Sequence, residues 1–260
     1  YKISVIPGPS KICNQENSVI IFFKDLTDII KVQKLKSDFV ANVSHELRTP
    51  LQSIKLGLET INNGHAAGDA ESQKKILPLV LQQTTRMENI VNDLLSLSRI
   101  ELQEHIRPND KIDINEIISH SVDLHQEILK KNNIICNIDK KTKDPIINGD
   151  RNRLIEVFNN LIDNAIKYSE KNKKITITTI SDDKNLTAIV KDEGIGISRE
   201  NIPQITERFF RANPAKSKEV GGTGLGLAIV KHIVNQHRAE MNISSEENKG
   251  TTISINFPKS

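Results

Sequence analysis

The feature that most limits how this chain can fold is an aliphatic repeat in its first half. Leu47, Leu51, Ile54, Leu58 and Ile61 are spaced 4, 3, 4 and 3 residues apart, and Ile76, Val80, Gln83, Met87, Ile90, Leu94 and Leu97 resume the same spacing after a break at Asn62 to Gly68. That spacing gathers side chains on one stripe of an α-helix and scatters them on a strand. From about Asp28 onward the chain therefore reads as two long helices joined by a glycine-containing loop, an antiparallel hairpin. The seam is aliphatic, and Leu77, Val91 and Leu95 lie beside it. Two helices cannot cover that much apolar surface, so the pattern predicts a homodimer in which two hairpins form a four-helix bundle. Pro78 sits inside the second helix and should kink it or delay its start.

On either side the pattern changes. Residues 2–6 and 18–23 are β-formers around a turn-rich segment with Pro7, Gly8, Pro9 and Asn14, a strand, loop and strand. After Arg107 and Pro108, strands are predicted near Lys111–Ile114, Ile134–Ile138, Lys174–Ile180, Leu186–Lys191, Glu240–Ser245 and Thr251–Phe257. Helices fit near Asn115–Lys131, Arg151–Ser169 and Gly224–Gln236. This is an α+β domain with helices on one face of a sheet.

Composition narrows the function. The 260 residues include 36 basic and 33 acidic side chains, a net charge of +3 that is too balanced for a chain whose main task is gripping nucleic acid. Residues 107–260 hold the whole excess. The longest apolar runs, such as Ser18–Phe23, fall far short of the roughly 18 residues of a membrane span, so no membrane contact by this fragment itself is expected. Cys13 and Cys136 lack partners at metal-ligand spacing and read as ordinary apolar residues. Beginning at Tyr1 within a strand-like pattern, with no initiator Met, the chain reads as a fragment of a longer protein.

Four segments carry chemistry. In Ser44-His45-Glu46-Leu47-Arg48-Thr49-Pro50, His45 falls about 160° from Leu47 on a helix, so its ring faces solvent while the seam is buried. Glu46 can accept the Nδ1 proton, leaving Nε2 as nucleophile, and Thr49 stands one turn away. Alone, such a histidine reads as a solvated side chain on a charged face. On the helix after Asp150, Asn160, Asn164 and Lys167 share a stripe next to Tyr168, two amide oxygens and an ammonium able to hold a hydrated Mg²⁺ and phosphate oxygens. Asp192-Glu193-Gly194-Ile195-Gly196-Ile197 follows a strand, with a carboxylate able to accept from an exocyclic amine such as that of adenine. Gly221-Gly222-Thr223-Gly224-Leu225-Gly226-Leu227 opens a helix, where glycine amides and the helix N-terminus suit phosphates. It is neither a Walker A loop nor a Rossmann fingerprint, and protein Ser/Thr/Tyr kinase signatures are absent.

Taken in order, these segments resemble the sensor histidine kinases of two-component signalling, and are similar to the PAS-containing, phosphate-sensor type among them. Phe39–Leu51 looks like their H box, Asn160–Tyr168 the N box, Asp192–Ile197 the G1 box, Glu207-Arg208-Phe209-Phe210-Arg211 the F box, and Gly222–Lys231 the G2 box. Lys24-Asp25-Leu26-Thr27 is similar to the end of a PAS sensor domain. The resemblance implies a PAS remnant over 1–27, a dimerisation and phosphotransfer hairpin over 28–106, and a gyrase-like (Bergerat) α/β sandwich binding ATP over 107–260.

Position by position, it implies His45 as phosphoacceptor, Glu46 as its general base and Thr49 as the residue positioning water during dephosphorylation of the partner. Asn160 and Asn164 would serve Mg²⁺, Lys167 and Tyr168 the phosphates and ribose, and Asp192 the adenine amine. Gly194, Gly196, Gly222, Gly224 and Gly226, with Thr223 and Leu225, would shape the pocket. Arg208 and Arg211 would stand near the phosphates, with Lys216 and Lys218 close by, and Ala212–Val220 would form a mobile lid. Thr206 occupies a place where a Phe often precedes the Glu-Arg pair. The implied activity is autophosphorylation of His45 from ATP and transfer to an Asp of a response regulator, with phosphatase activity on that regulator, in a parent protein in the bacterial cytoplasmic membrane. Two alternatives share parts of the pattern: a gyrase- or chaperone-like ATPase, disfavoured because Asn160 stands where those enzymes carry a water-activating Glu, and a non-catalytic dimeric scaffold that binds ATP.

Overall fold

The computed structural model describes residues 2–7, 19–66 and 70–259. Gly8, Pro9, Cys13, Asn14 and Gly68, which the sequence reading singles out, lie outside the described residues. The chain divides into two compact units, 1–52 and 53–260.

In the first unit, β1 (Lys2–Pro7) and β2 (Val19–Lys24) pair antiparallel, with Lys2 opposite Lys24 and Pro7 opposite Val19. A long helix, α1 (Thr27–Ala66), then begins. Its start is set locally, because Asp25 Oδ1 accepts from the Thr27 amide at 2.9 Å and from the Thr27 hydroxyl at 2.6 Å. These bonds hold the Asp25 carboxyl below its usual range. Pro50 lies inside α1 without ending it.

The second unit contains the rest of α1 and the helix α2 (Ala70–Gln103), which return on each other as the expected hairpin. Gly57 makes the close approach possible: a Cβ there would come within 2.5 Å of Val80 Cγ2. Nearer the turn, Gln73 Nε2 donates to the Ile61 carbonyl at 3.4 Å. Two details differ from the sequence reading. Helix α1 runs on through Asn62 to Ala66, into the expected break, and Pro78 does not delay α2, which starts eight residues earlier at Ala70. A proline inside a helix costs about 3 kcal/mol, a penalty that burial of the following turn at Val80 helps offset. Val80, Ile90, Leu97 and Ile100 are buried, whereas Leu58, Leu77, Leu79, Leu81 and Leu95 remain more than half exposed. One hairpin thus leaves an aliphatic strip bare, as the spacing requires.

The remainder is the α/β sandwich. A short antiparallel pair, β3 (Asp110–Asp113) with β5 (Ile146–Gly149), flanks a five-stranded sheet of β4 (Ile135–Lys140), β6 (Lys174–Ser181), β7 (Asn185–Asp192), β8 (Glu240–Glu246) and β9 (Gly250–Pro258) in the order β4-β6-β7-β9-β8. Only β4 and β6 run parallel. Helices α3 (Ile114–Leu124), α4 (Gln126–Lys131), α5 (Arg151–Tyr168) and α7 (Gly226–Gln236) complete the layer, with a short α6 (Pro214–Glu219) in the loop before α7. Alternate residues of the strands, Ile175, Ile177, Leu186, Ala188, Val190, Ile253, Ile255 and Phe257, are buried, as are the apolar faces of α3, α5 and α7. Asp113 and Asp150 cap α3 and α5, each accepting two backbone N–H bonds.

The segment expected as one helix, Asn115–Lys131, is broken at His125, whose Nδ1 donates to the Ser121 carbonyl at 2.8 Å. Strand β5 was not expected at all. Its four residues are too few to show an alternation, and its partner β3 lies far away in sequence.

One buried histidine ties this domain together. His237, 2% exposed, donates Nδ1 to the Ile233 carbonyl at 2.8 Å and accepts the Asp150 amide on Nε2 at 3.0 Å, so it is neutral. Burial holds its pKa below the ordinary histidine value. Because the folded pKa lies below the unfolded one, the stabilisation is complete above the unfolded value of about 6.5 and is lost as pH falls through the folded one. Urea midpoints should therefore fall on acidification below about pH 6.5, with His237 contributing at most about 1.4 kcal/mol per pH unit. His237→Gln should be less stable at neutral pH and show a shallower acid dependence; an unchanged slope would remove His237 from this role.

Candidate functional site

A cavity of about 430 Å³ opens among α5, β7, β9 and the loops before α7, lined also by residues of α2. Helix α5 supplies its floor. Leu154, Val157, Phe158, Leu161 and Ile162 of α5 are buried, and this fixes the rotation that turns Asn160, Asn164, Lys167 and Tyr168 to the cavity. Asn160 Nδ2 donates to the Glu156 carbonyl at 2.9 Å, which orients Oδ1 outward toward Gly226, where any Cβ would collide with it. Asn160 and Asn164 thus bring two side-chain amides to the cavity, whose oxygens are a donor type that suits a hard, hydrated divalent cation. Among the described residues no cluster of three or more His, Cys, Asp or Glu side chains could hold a metal unaided, so such a cation would need ligand oxygens as well.

Asp192, at the end of β7, accepts from the Gly194 amide at 2.8 Å and the Thr251 amide at 3.1 Å, both on Oδ1. Oδ2 is left for the cavity, which Asp192 lines. Burial raises its pKa, against the lowering effect of the two amides. Gly194 lies behind this carboxylate, close against the Tyr168 carbonyl, which accepts the Ile195 amide at 3.0 Å. The G1 segment is thereby tied to the end of α5.

The glycine-rich loop forms the other wall. Gly222, Thr223, Gly224 and Gly226 line the cavity, while Leu225 is fully buried beneath them. Phe209 takes a positive φ of 64° and donates its amide to the Gly224 carbonyl at 2.8 Å, a backbone conformation rare for an aromatic residue. Arg211 Nη2 donates to the Gly222 carbonyl at 2.9 Å and to that of Thr223 at 3.3 Å. The expected lid contains α6, capped by Asn213, and Ser217 of this helix bonds the Tyr168 hydroxyl at 3.0 Å.

The structure gathers Asn160, Asn164, Lys167, Tyr168, Asp192, Gly196, Arg211 and the glycine loop around one cavity. Arg208 is elsewhere, ion-paired to Glu101 of α2. Lys167 is paired to Asp163 at 2.6 Å. The side chain of Lys218 lies outside the described residues. Thr206 accepts a hydrogen bond from Lys231 Nζ at 3.4 Å. Sequence reasoning missed Asn89, Asn92 and Asp93 of α2, and Thr251 and Gly250 of β9, where a Cβ on Gly250 would strike the Asp192 backbone. The signal for Gly250 was its place next to the expected strand Thr251–Phe257; nothing in α2 distinguishes these polar residues from others on that helix.

In the first unit, His45 is exposed on α1 and Glu46 is partly buried, as neighbouring helical positions face different ways. The Thr49 hydroxyl donates to the His45 carbonyl at 3.3 Å.

Comparison with known proteins places both regions. Residues 35–103 match the His Kinase A (phospho-acceptor) domain, and residues 149–260 match the histidine kinase-, DNA gyrase B-, and HSP90-like ATPase family. Sensor protein kinase WalK of Staphylococcus aureus is 36% identical over 241 residues, covering 92% of this chain and 57% of that protein. The WalK of strain JH9 gives the same identity, with 39% of its length covered. The chain thus spans about half the length of the curated relatives it matches. Among solved structures, the catalytic domain of histidine kinase ThkA is 29% identical with a TM-score of 0.52, over 58% of this chain and 95% of that one. ThkA in complex with the response regulator protein TrrA (24% identity, TM-score 0.67, 99% of this chain and 75% of that one) and Acinetobacter baumannii histidine kinase AdeS (24%, 0.66, 83% and 98%) share the fold. An exposed histidine within the phospho-acceptor match, followed by a cavity lined mostly by residues of the ATPase match, is the order in which this chain carries its parts, and it belongs to the sensor histidine kinases as their catalytic portion.

Proposed function

We propose that this chain transfers the γ-phosphoryl group of ATP to His45 and then to an aspartate of a response regulator. The observation that carries the reading is the Asp192 carboxylate, held by two amides on one oxygen and facing a cavity whose far wall is the glycine loop at the start of α7. Oδ2 would accept the exocyclic amine of adenine, and the amides of the glycine loop would receive the phosphates. Mg²⁺ held by Asn160 and Asn164 would neutralise phosphate charge. Lys167 and Tyr168 would hold the phosphates and ribose, and Arg211, which fastens the glycine loop by two carbonyls, would keep that wall in place.

At His45, Nε2 forms the new bond to phosphorus as the bond to the ADP oxygen breaks, and Glu46 takes up the Nδ1 proton. The ATP-binding domain must swing until the γ-phosphate lies in line with Nε2. Positioning and charge neutralisation account for the rate, since phosphoryl transfer asks little covalent chemistry of the protein. Asn160, an amide where a hydrolase of related fold needs a base, supports transfer to His45 over hydrolysis.

Domain assignments follow: 1–27 as the end of a PAS domain, 28–106 as the phosphotransfer hairpin and 107–260 as the ATP-binding domain. The bare aliphatic strip on the hairpin supports a dimer with a second copy. ThkA is bound to a response regulator in its complex, and docking of such a regulator on the bundle is proposed here by likeness. No described helix is long and apolar enough to cross a membrane; the parent protein is proposed to be membrane-borne through segments other than these.

Incubation with γ-labelled ATP should label the wild type and leave His45→Gln unlabelled; retained label in that variant would refute the assignment. With a phosphorylated regulator as substrate, Thr49→Ala should lose dephosphorylation by a factor of ten or more, roughly the worth of one positioned group, while autophosphorylation stays within about twofold. Equal loss of both activities would contradict a separate role for Thr49.

A further inference from the structure

Helix α2 belongs to the hairpin, yet Asn89, Asn92 and Asp93 wall the cavity. Of these only Asp93 carries charge. Its Oδ2 accepts the Thr223 hydroxyl at 2.7 Å, and the same hydroxyl oxygen accepts the Leu225 amide at 3.2 Å. Asp93 is therefore fixed at the glycine loop and the N-terminal end of α7, the part of the cavity whose amides suit phosphate. Burial above all pushes its carboxyl above the usual range; Glu156 and Asp163 add to this, while Thr223 and Lys167 oppose it. The cavity already opposes negative charge at this point.

A second acidic residue of α2 acts in the same direction. Glu101 holds Arg208, a cation that the family pattern assigns to the phosphates, away from the cavity. The apolar packing that seats α2 here is firm, with Leu97 and Ile100 at 1% and 0% exposure. Beyond the cavity, Glu104 accepts from His232 Nδ1 at 2.8 Å and Asn235 Nδ2 at 3.2 Å on α7, and Gln236 Nε2 donates to the Gln103 carbonyl at 3.1 Å.

We propose that Asp93 is a specificity determinant of the nucleotide pocket: with α2 seated, its carboxylate at the glycine loop discriminates among adenine nucleotides by phosphate charge, disfavouring the triphosphate relative to the diphosphate and leaving the nucleoside unaffected. The mechanism is Coulombic repulsion in a partly desolvated cavity, joined to competition for the Thr223 hydroxyl, which serves either Asp93 or a phosphate oxygen. The inference rests on the nucleotide reading above.

The test is equilibrium binding of a non-hydrolysable ATP analogue, ADP and adenosine, each with Mg²⁺, to the whole 260-residue chain. Asp93→Asn and Asp93→Ser remove the charge, and using both keeps the test alive if one fails to fold. Asp93→Glu retains it. In the uncharged variants the analogue should bind about tenfold tighter and ADP about threefold tighter, as expected for a charge contact at intermediate effective dielectric, with adenosine unchanged. Asp93→Glu should keep the wild-type ratio of analogue to ADP affinity. Glu104→Gln, which removes an acidic charge from α2 outside the cavity while keeping an acceptor for His232 and Asn235, should leave that ratio unchanged as well. The proposal is overturned if analogue and ADP affinities shift by a common factor or not at all in the uncharged variants, or if Glu104→Gln shifts the ratio as they do. Wild-type chain that binds none of the three ligands would sink the nucleotide reading itself; wild-type binding with an unaltered ratio in the variants would sink only the role of Asp93.

Discussion

Everything at the site is referred to the way α5 lies on the sheet. One face of this helix, Leu154, Val157, Phe158, Leu161 and Ile162, is locked in the core, and a helix so locked has no rotational freedom left. Asn160, Asn164 and Lys167 consequently stand at fixed places along the cavity. The surrounding loops take their positions from α5 in turn. The G1 segment is tied to its last residue through Ile195 and Tyr168, and the start of α7 approaches so closely at Gly226 that only a hydrogen fits beside the Asn160 amide. Arg153 and Glu156 on its partly buried flank both reach Ser96 of α2.

The electrostatics of the cavity are more balanced than a net charge of +3 suggests. Three of the cations that the sequence placed near a phosphate are engaged by the protein: Lys167 by Asp163, Arg208 by Glu101, and Arg211 by two carbonyls. Neutral amides, on the glycine loop and on Asn160 and Asn164, are therefore the groups held ready for a polyanion. A site built this way avoids burying unpaired positive charge before its ligand arrives, a cost that would otherwise fall on the folded state.

Much of the candidate site was legible because its parts are local. A histidine on a helical face opposite an aliphatic seam, an Asn-Asn-Lys stripe, an aspartate at a strand end followed by glycines, and a glycine run opening a helix each declare themselves within about ten residues. The parts that were missed are those whose meaning depends on a distant partner. Strand β5 exists because β3 pairs with it; Thr251 matters because its amide reaches Asp192; His125 ends a helix because its ring bonds back one turn. Arg208 was legible as a conspicuous cation, but its direction was not, since Glu101 is 107 residues away in sequence.

By itself, then, the sequence determined the two-helix hairpin with its uncovered strip and most of the strands and helices after it, and it pointed to the groups proposed to act on a phosphoryl donor and acceptor. Periodicity and turn chemistry act over a few residues, and that is why they can be read without coordinates. Only the tertiary structure decided that α2 forms part of the cavity wall, that Asp93 and Thr223 are bonded across 130 residues of chain, and which cations are already paired. Helical spacing fixes which residues share a face; what packs against that face is settled by long-range burial and by the need of each buried polar group for a partner.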